Sequence, residues 1–392
     1  MSETPRFATL AVHAGEKPCP ATGALDTPIY QSTTFAAANS DELAALFGEQ
    51  KPGYTYTRYG NPTIHALELK LAALEGGEAA LAVASGMAAI SSAILGYIKA
   101  GDHVVGARSL YGAAYHFLDQ KLPRFGASAT FADSTRIEDF EKCIRPNTRL
   151  IYFETPSNPV LDIIDIAGLS ALARSRNLPL MIDNTFASPA LQQPLALGVT
   201  VVVHSATKYL CGHGDALAGA IIGPESYIAD LNREIVRDLG GVISPFNAWL
   251  ILRGIHTLPL RVAAQCSNAQ QLAEFLASHP KVAHVNYPGL PAHPGHALAR
   301  RQMKAFGAMI SFEAKGGHEM GKRVMDRVKI FARAASLGDT RSLIVHPASV
   351  SHRAVPRERR VAAGITDGLV RLSIGVEAIE DLMADLDQAL AF

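Results

Sequence analysis

A two-part α/β protein with a mostly parallel central sheet is the fold class this sequence predicts, and three observations predict it. From about residue 61 onward, short apolar runs rich in β-branched residues alternate with segments of helical period. The runs are near-continuously apolar instead of apolar at every second residue, as in strands covered on both faces. The chain is 392 residues long, more than one hydrophobic core usually serves, so two domains are expected.

The first sixty residues carry Pro, Gly and Thr and show no core pattern of their own. Residues 1–60 therefore read as an arm that must pack on something else, a neighbouring subunit being one candidate. In the domain expected over 61–256, "TIHALELKLAALEGG" reads as a helix, "AALAVAS" as a strand and "GMAAISSAILGYIKAG" as a helix. The strands "HVVGA", "ASATFA", "TRLIYFE", "LPLMIDN" and "VTVVVHS" follow, separated by helical stretches near Tyr115 to Phe125, Ile137 to Ile144 and Ile166 to Arg176. "GDALAGAIIG" reads as one more strand, with helices from Pro224 to Gly254. Over 257–392 a long helix to about Ser278 introduces a smaller α/β domain containing "AMISFEA", "GLVRLSIG" and a final helix. In a parallel sheet, ligands sit beyond the carboxyl ends of the strands.

Composition narrows the function. Lys plus Arg and Asp plus Glu number 36 each, so no net charge recruits nucleic acid or an anionic membrane, and a small-molecule ligand is favoured. The charge-free stretch from Ala79 to Ile98 is broken by "SGM" and "SS", which suits the interior of an α/β domain better than a membrane span. Cys19, Cys143, Cys211 and Cys266 lack paired spacing, and the N-terminus lacks an apolar leader, so a reducing, cytoplasmic setting is expected.

Several strand ends deliver a polar group. "VVVHSATKYLCGHGD" ends a strand at two small hydroxyls, Ser205 and Thr207, and then Lys208. The common fate of such a lysine is the surface; the sharper alternative is an amine held in a pocket for Schiff-base chemistry. "AVASGMAA" turns from strand to helix at Gly86 and Met87, where free amides suit an anion. "LMIDNTF" ends at Asp183, "SLYGAAY" offers Tyr111, and "IYFETPSNP" offers Glu154 and Asn158. A metal site on His204, His213 and Asp215 lacks the usual ligand spacing, and His293 with His296 in "AHPGH" reads as a turn. Pyridoxal 5'-phosphate explains the set together: an aldehyde for the lysine, a pyridine nitrogen for the acid, a ring for the tyrosine and a phosphate for amides and hydroxyls.

With "YTRYGNPT", "ASGMAA", "ETPSNP", "DNTFASP", "HSATKY", "SPFNAW", "SLGD", "HPAS" and "GLVRLSIGVE" in order, the chain resembles the Cys/Met-metabolism family of pyridoxal-phosphate enzymes over nearly its whole length. The resemblance implies a type I, aspartate aminotransferase-like fold and a homotetramer built from dimers with shared active sites. It implies Lys208 as the Schiff-base lysine, Asp183 as partner of the ring nitrogen and Tyr111 as the stacking, proton-moving tyrosine. Gly86, Met87, Ser205 and Thr207 match the phosphate cradle, and Tyr56 and Arg58 the pair that reaches the neighbouring subunit's phosphate. Arg371, helped by Ser336 and Asn158, resembles the clamp for the substrate carboxylate.

The family implies an amino-acid substrate and γ-elimination or γ-replacement, which share these residues. Ala335 stands where cystathionine-handling members carry a glutamate, so cystathionine is disfavoured. "CGHGD" and "SLGDTRSLIVHPAS" resemble methionine γ-lyase, whereas Ala113 replaces that enzyme's characteristic cysteine. "VRDLGGVISPFNAW", with Arg237 and Asp238, is nearer to the sulfhydrylases in spacing. The reading is therefore γ-elimination of the methionine γ-lyase kind; the alternatives are an O-acetyl- or O-succinylhomoserine sulfhydrylase and a cystathionine γ-synthase or γ-lyase.

Overall fold

The computed structural model describes residues 5–350, 353 and 357–391; the first four residues of the expected arm and Phe392 at the end of the expected second domain lie outside these. Seven strands form the larger sheet: β1 (Ala79–Val83), β2 (His103–Gly106), β3 (Ser128–Phe131), β4 (Thr148–Glu154), β5 (Leu180–Asp183), β6 (Val201–His204) and β7 (Gly219–Gly223). Their order is β1-β7-β6-β5-β4-β2-β3. The pairs β3–β2, β2–β4, β4–β5 and β5–β6 are parallel. Val201, Val202 and Val203 are fully buried, as an all-apolar run requires.

One strand departs from the repeating scheme. β7 runs antiparallel to both β1 and β6. A parallel neighbour needs a crossover, usually a helix, and residues 205–218 between β6 and β7 contain none. The chain therefore turns back beside β6, and its loop stays at the end where the strands deliver their polar groups.

The helices obey their local signals. Helices α1 (Phe7–His13) and α2 (Ser40–Phe47) lie in the arm, and α3 (Pro62–Glu75) follows it. At α3, Asn61 caps by accepting from the Thr63 amide at 2.9 Å, and Gly76 ends the helix at φ +73°. The following helix α4 (Gly86–Leu95) packs against β6 and β7, with Ser85 as its cap. Near Tyr115 the expected helix changes pitch, from an α turn (Gly112–His116) to a π segment (Phe117–Lys121) and a 3-10 turn (Leu122–Phe125).

The smaller sheet is formed by β8 (Val282–Asn286), β9 (Met309–Ala314), β10 (Ala332–Arg333), β11 (Leu343–Val345) and β12 (Leu369–Ser373), in the order β10-β11-β12-β9-β8. One hydrophobic cluster runs from the larger sheet through Leu258–Ser278 into the smaller one. The arm contributes little to it: of residues 5–60, only Ala11 and Cys19 are buried. Its beginning is pinned by Lys70, fully buried on α3, which donates to the carbonyls of Ala11 and Val12 and to Glu16. No helix among the described residues is long and apolar enough to cross a membrane.

Candidate active site

Residues at or just past the carboxyl ends of β1, β4, β5 and β6, together with Tyr111, line a cavity of about 250 Å³. Ala335, Ser336, Leu337 and Arg371 close it from the smaller sheet. The alternation of each strand explains who faces it: Asp183 and Ser205 line the cavity. Their neighbours Asn184 and His204 are buried in bonds to Glu75 instead.

At one end the chemistry suits an anion. The amides of Gly86 and Met87 begin a ten-residue helix and have no intrahelical acceptor. Gly86 allows close approach: a Cβ there would stand 2.7 Å from that of Ser205. Ser205 lines the same end. The Thr207 hydroxyl lines it too, while bonded to Ala218 as donor at 3.1 Å and as acceptor at 3.0 Å.

Two carboxyls and one amine occupy the interior. Asp183 and Glu154 are register partners on adjacent parallel strands, and both are buried. Burial pushes Asp183 above its ordinary range, opposed by hydrogen bonds from Thr185 and the charge of His204; the Thr185 amide donates at 2.9 Å. Burial, and then the neighbouring Asp183 charge, push Glu154 well above its own. Lys208 donates from Nζ to Ser336 Oγ at 2.9 Å. Burial, then the Arg371 charge, lower its pKa and so favour the neutral, nucleophilic amine.

Arg371 sits on β12 between β11 and β9. Its Nη1 donates to Asn158 Oδ1 at 2.9 Å and its Nη2 to the Ser336 carbonyl at 3.0 Å, while Nε has no partner. A buried N–H without an acceptor is costly unless a ligand supplies one. Burial brings the guanidinium down to about 10, which leaves it a cation near neutrality. Gly338 keeps this loop close to Lys208: at φ +73°, a Cβ would meet the Tyr209 amide nitrogen at 2.6 Å.

The structure thus gathers Gly86, Met87, Tyr111, Asn158, Asp183, Ser205, Thr207, Lys208, Ser336 and Arg371 around one cavity, and places Tyr56 and Arg58 outside it. Arg58 donates to the Arg237 carbonyl at 2.6 Å and lies over the rings of Tyr56 and Tyr59. Arg237 and Asp238 line a different cleft, formed with the arm, and Arg237 pairs with Glu49 at 2.8 Å. Among the described residues no three His, Cys, Asp or Glu side chains are grouped to hold a metal. His204 instead bonds Glu75 at 2.6 Å. Sequence reasoning passed over Thr185, although a threonine two residues past an Asp at a strand end is a recognisable turn signal.

The donor set fits pyridoxal phosphate: an amine of lowered pKa, a buried acid, an aromatic face and free helix-terminal amides. Comparison with known proteins agrees. The sequence profile of Cys/Met metabolism PLP-dependent enzymes matches residues 8–391. An L-methionine gamma-lyase of Fusobacterium nucleatum subsp. polymorphum is 49% identical over 385 residues, spanning 97% of each chain. An O-acetyl-L-homoserine sulfhydrylase of Leptospira meyeri is 41% identical, spanning 97% of this chain and 96% of its own. The structure of a putative O-acetylhomoserine (thiol)-lyase from Campylobacter jejuni, which carries an N'-pyridoxyl-lysine-5'-monophosphate, superposes with a TM-score of 0.96. It is 36% identical, over 99% of this chain and 100% of that one.

Proposed function

Because the chain belongs to the Cys/Met metabolism family of PLP-dependent enzymes, we propose that it catalyses γ-elimination from methionine or a related sulfur amino acid, releasing a thiol, an α-keto acid and ammonia. The observation that carries this reading is the convergence of Lys208, Asp183 and Arg371 on one small cavity whose remaining wall includes Ala335, Leu337, Ile90, Phe186 and Leu217. Apolar walls suit a thioether side chain. Ala335 offers nothing to hold the distal ammonium of cystathionine.

When bound, pyridoxal phosphate supplies an electron sink for charge developing at the substrate's α-carbon. Asp183, at the end of β5, would hold the ring nitrogen protonated, and Tyr111 would offer its face to the ring. Gly86, Met87, Ser205 and Thr207 would cradle the phosphate. Arg371, preset by Asn158 and Ser336, takes the substrate carboxylate through Nε and the rest of its fork. Lys208 would hold the cofactor through Nζ, and the same Nζ, its pKa lowered by burial and by Arg371, is the base placed to take the α-proton and return it further along the side chain. Tyr111 delivers a proton to the departing thiolate.

The arm also supports a reading of the assembly. Its exposed surface, together with the absence of Tyr56 and Arg58 from the lining of their own cavity, supports a homotetramer in which these two residues would reach the phosphate of a neighbouring subunit. All four cysteines are free thiols, which supports a cytoplasmic enzyme.

The O-acylhomoserine sulfhydrylase reading is kept because Ala113 stands in place of the cysteine of methionine γ-lyases. The test is a comparison of methionine, homocysteine and cystathionine by formation of α-keto acid. Methionine or homocysteine should give the highest kcat/KM; cystathionine as the best substrate would overturn the assignment.

A further inference from the structure

Glu154 is the one buried acid of the cavity to which the proposed chemistry gives no task. It ends β4, directly opposite Asp183 on β5, and is 5% exposed. Its Oε1 accepts from the Asn158 amide at 3.2 Å, and the Tyr111 amide faces the same carboxyl and favours negative charge on it. Tyr111 begins the short helix after β2, and Asn158 belongs to the turn after β4. One side chain therefore ties two loops from different strands. The link continues: Asn158 Oδ1 accepts from Arg371 Nη1 at 2.9 Å, on the smaller sheet.

We propose that Glu154 is a positioning residue that fixes Tyr111 and Asn158 relative to each other and, through Asn158, sets the angle at which Arg371 meets the substrate carboxylate. The inference rests on the functional reading above for the roles of Tyr111 and Arg371, and on geometry alone for the link between them. Glu154 performs this task as a neutral acid. It has no cationic partner in its hydrogen-bond set, and a second charge beside Asp183 in a buried site is disfavoured. Asp183 has the better claim to the charge, with bonds from Thr185, the nearby His204 and the ring nitrogen of the bound cofactor. Environment thus separates two register-paired carboxyls into an ion and a hydrogen-bond acceptor.

Substitution distinguishes this from a packing role and from a charged one. Glu154→Gln keeps a carbonyl oxygen for both amides and should bind norleucine, an amino acid without a γ-leaving group, within about threefold of the parent holoenzyme. Glu154→Ala should retain the cofactor but weaken norleucine by about tenfold or more, the scale of one charge-assisted hydrogen bond lost from alignment. In its crystal structure, Asn158 should have moved away from Arg371. If Glu154→Gln is as impaired as Glu154→Ala, an ionised carboxylate is required and the proposal fails. It also fails if Glu154→Ala binds norleucine like the parent with the Asn158–Arg371 bond intact. Failure of the functional reading shows elsewhere, as a parent enzyme that processes no sulfur amino acid, and leaves the crystallographic readout standing.

Discussion

Arg371→Ala removes a cation that is 6% exposed and held on two sides, by Asn158 at 2.9 Å and by the Ser336 carbonyl at 3.0 Å. The guanidinium has five N–H donors, of which these bonds use two, so three remain for a carboxylate. A unit charge pair about 4 Å apart contributes about 4 kcal/mol at an effective dielectric of about 20. Desolvation of the carboxylate offsets part of that, and removal of one partner from such pairs typically costs about 2–5 kcal/mol. At about 1.4 kcal/mol per tenfold, the substrate KM should rise by roughly 30-fold to a few thousand-fold. Cofactor binding should be preserved, because Arg371 lies on the smaller sheet and the phosphate cradle on the larger. Steady-state kinetics with methionine, beside cofactor content read from visible absorbance, separates the two effects. An unchanged KM, or loss of the cofactor with the arginine, would refute the clamp.

Three further outcomes are expected. The purified protein should be yellow, and Lys208→Ala should lose that colour and at least about 100-fold in turnover; mixed with Arg58→Ala subunits, it should recover activity in hybrids, whereas confirmed hybrids that stay inactive would mean that each subunit builds its own site. In the cofactor-free protein, the raised pKa values of Asp183 and Glu154 make the folded state prefer their protonated forms, so the contribution of these two groups to stability is greatest below their ordinary values of 3.8 and 4.5 and declines as pH rises above them. The cofactor's ring nitrogen would relieve this at Asp183, so the melting-temperature gap between loaded and cofactor-free protein should widen as pH rises above 3.8; a gap that narrows would contradict it. Glu75→Ala strips a fully buried partner from His204 and Asn184 and should cost about 3–5 kcal/mol of stability, seen as a lower melting temperature; an unchanged midpoint would show that the pair contributes nothing.

Much of this was legible in the sequence, because local signals and global fold agree. "VVVHS" and "LMID" are buried strand segments because their apolar runs leave no solvent-facing side, and each ends at a residue that lines the cavity, Ser205 and Asp183. Asn61, Pro62 and Gly76 bracket α3 as cap, first turn and left-handed stop. The direction of β7 was not legible: "GAIIG" has the same pattern whichever way it runs, and only the helix-free loop before it decides. The role of Thr207 was legible only in type, since nothing local announces that Ala218 engages its hydroxyl. The Glu75–His204 pair joins residues 129 apart in sequence, which no motif spans. Glu154 was visible as a polar residue at a strand end, but its link to Tyr111 depends on β4 and β2 lying side by side.

The choice between elimination and replacement rests on one ratio, measured on a single preparation of the loaded enzyme. The formation of 2-oxobutyrate from methionine without added thiol is compared, as kcat/KM, with sulfide-dependent formation of homocysteine from O-acetyl- and O-succinylhomoserine. The γ-elimination account predicts that methionine cleavage, with one ammonia released per keto acid, exceeds replacement on either ester. Rapid homocysteine formation with negligible methionine cleavage would contradict it and assign the chain to the sulfhydrylases.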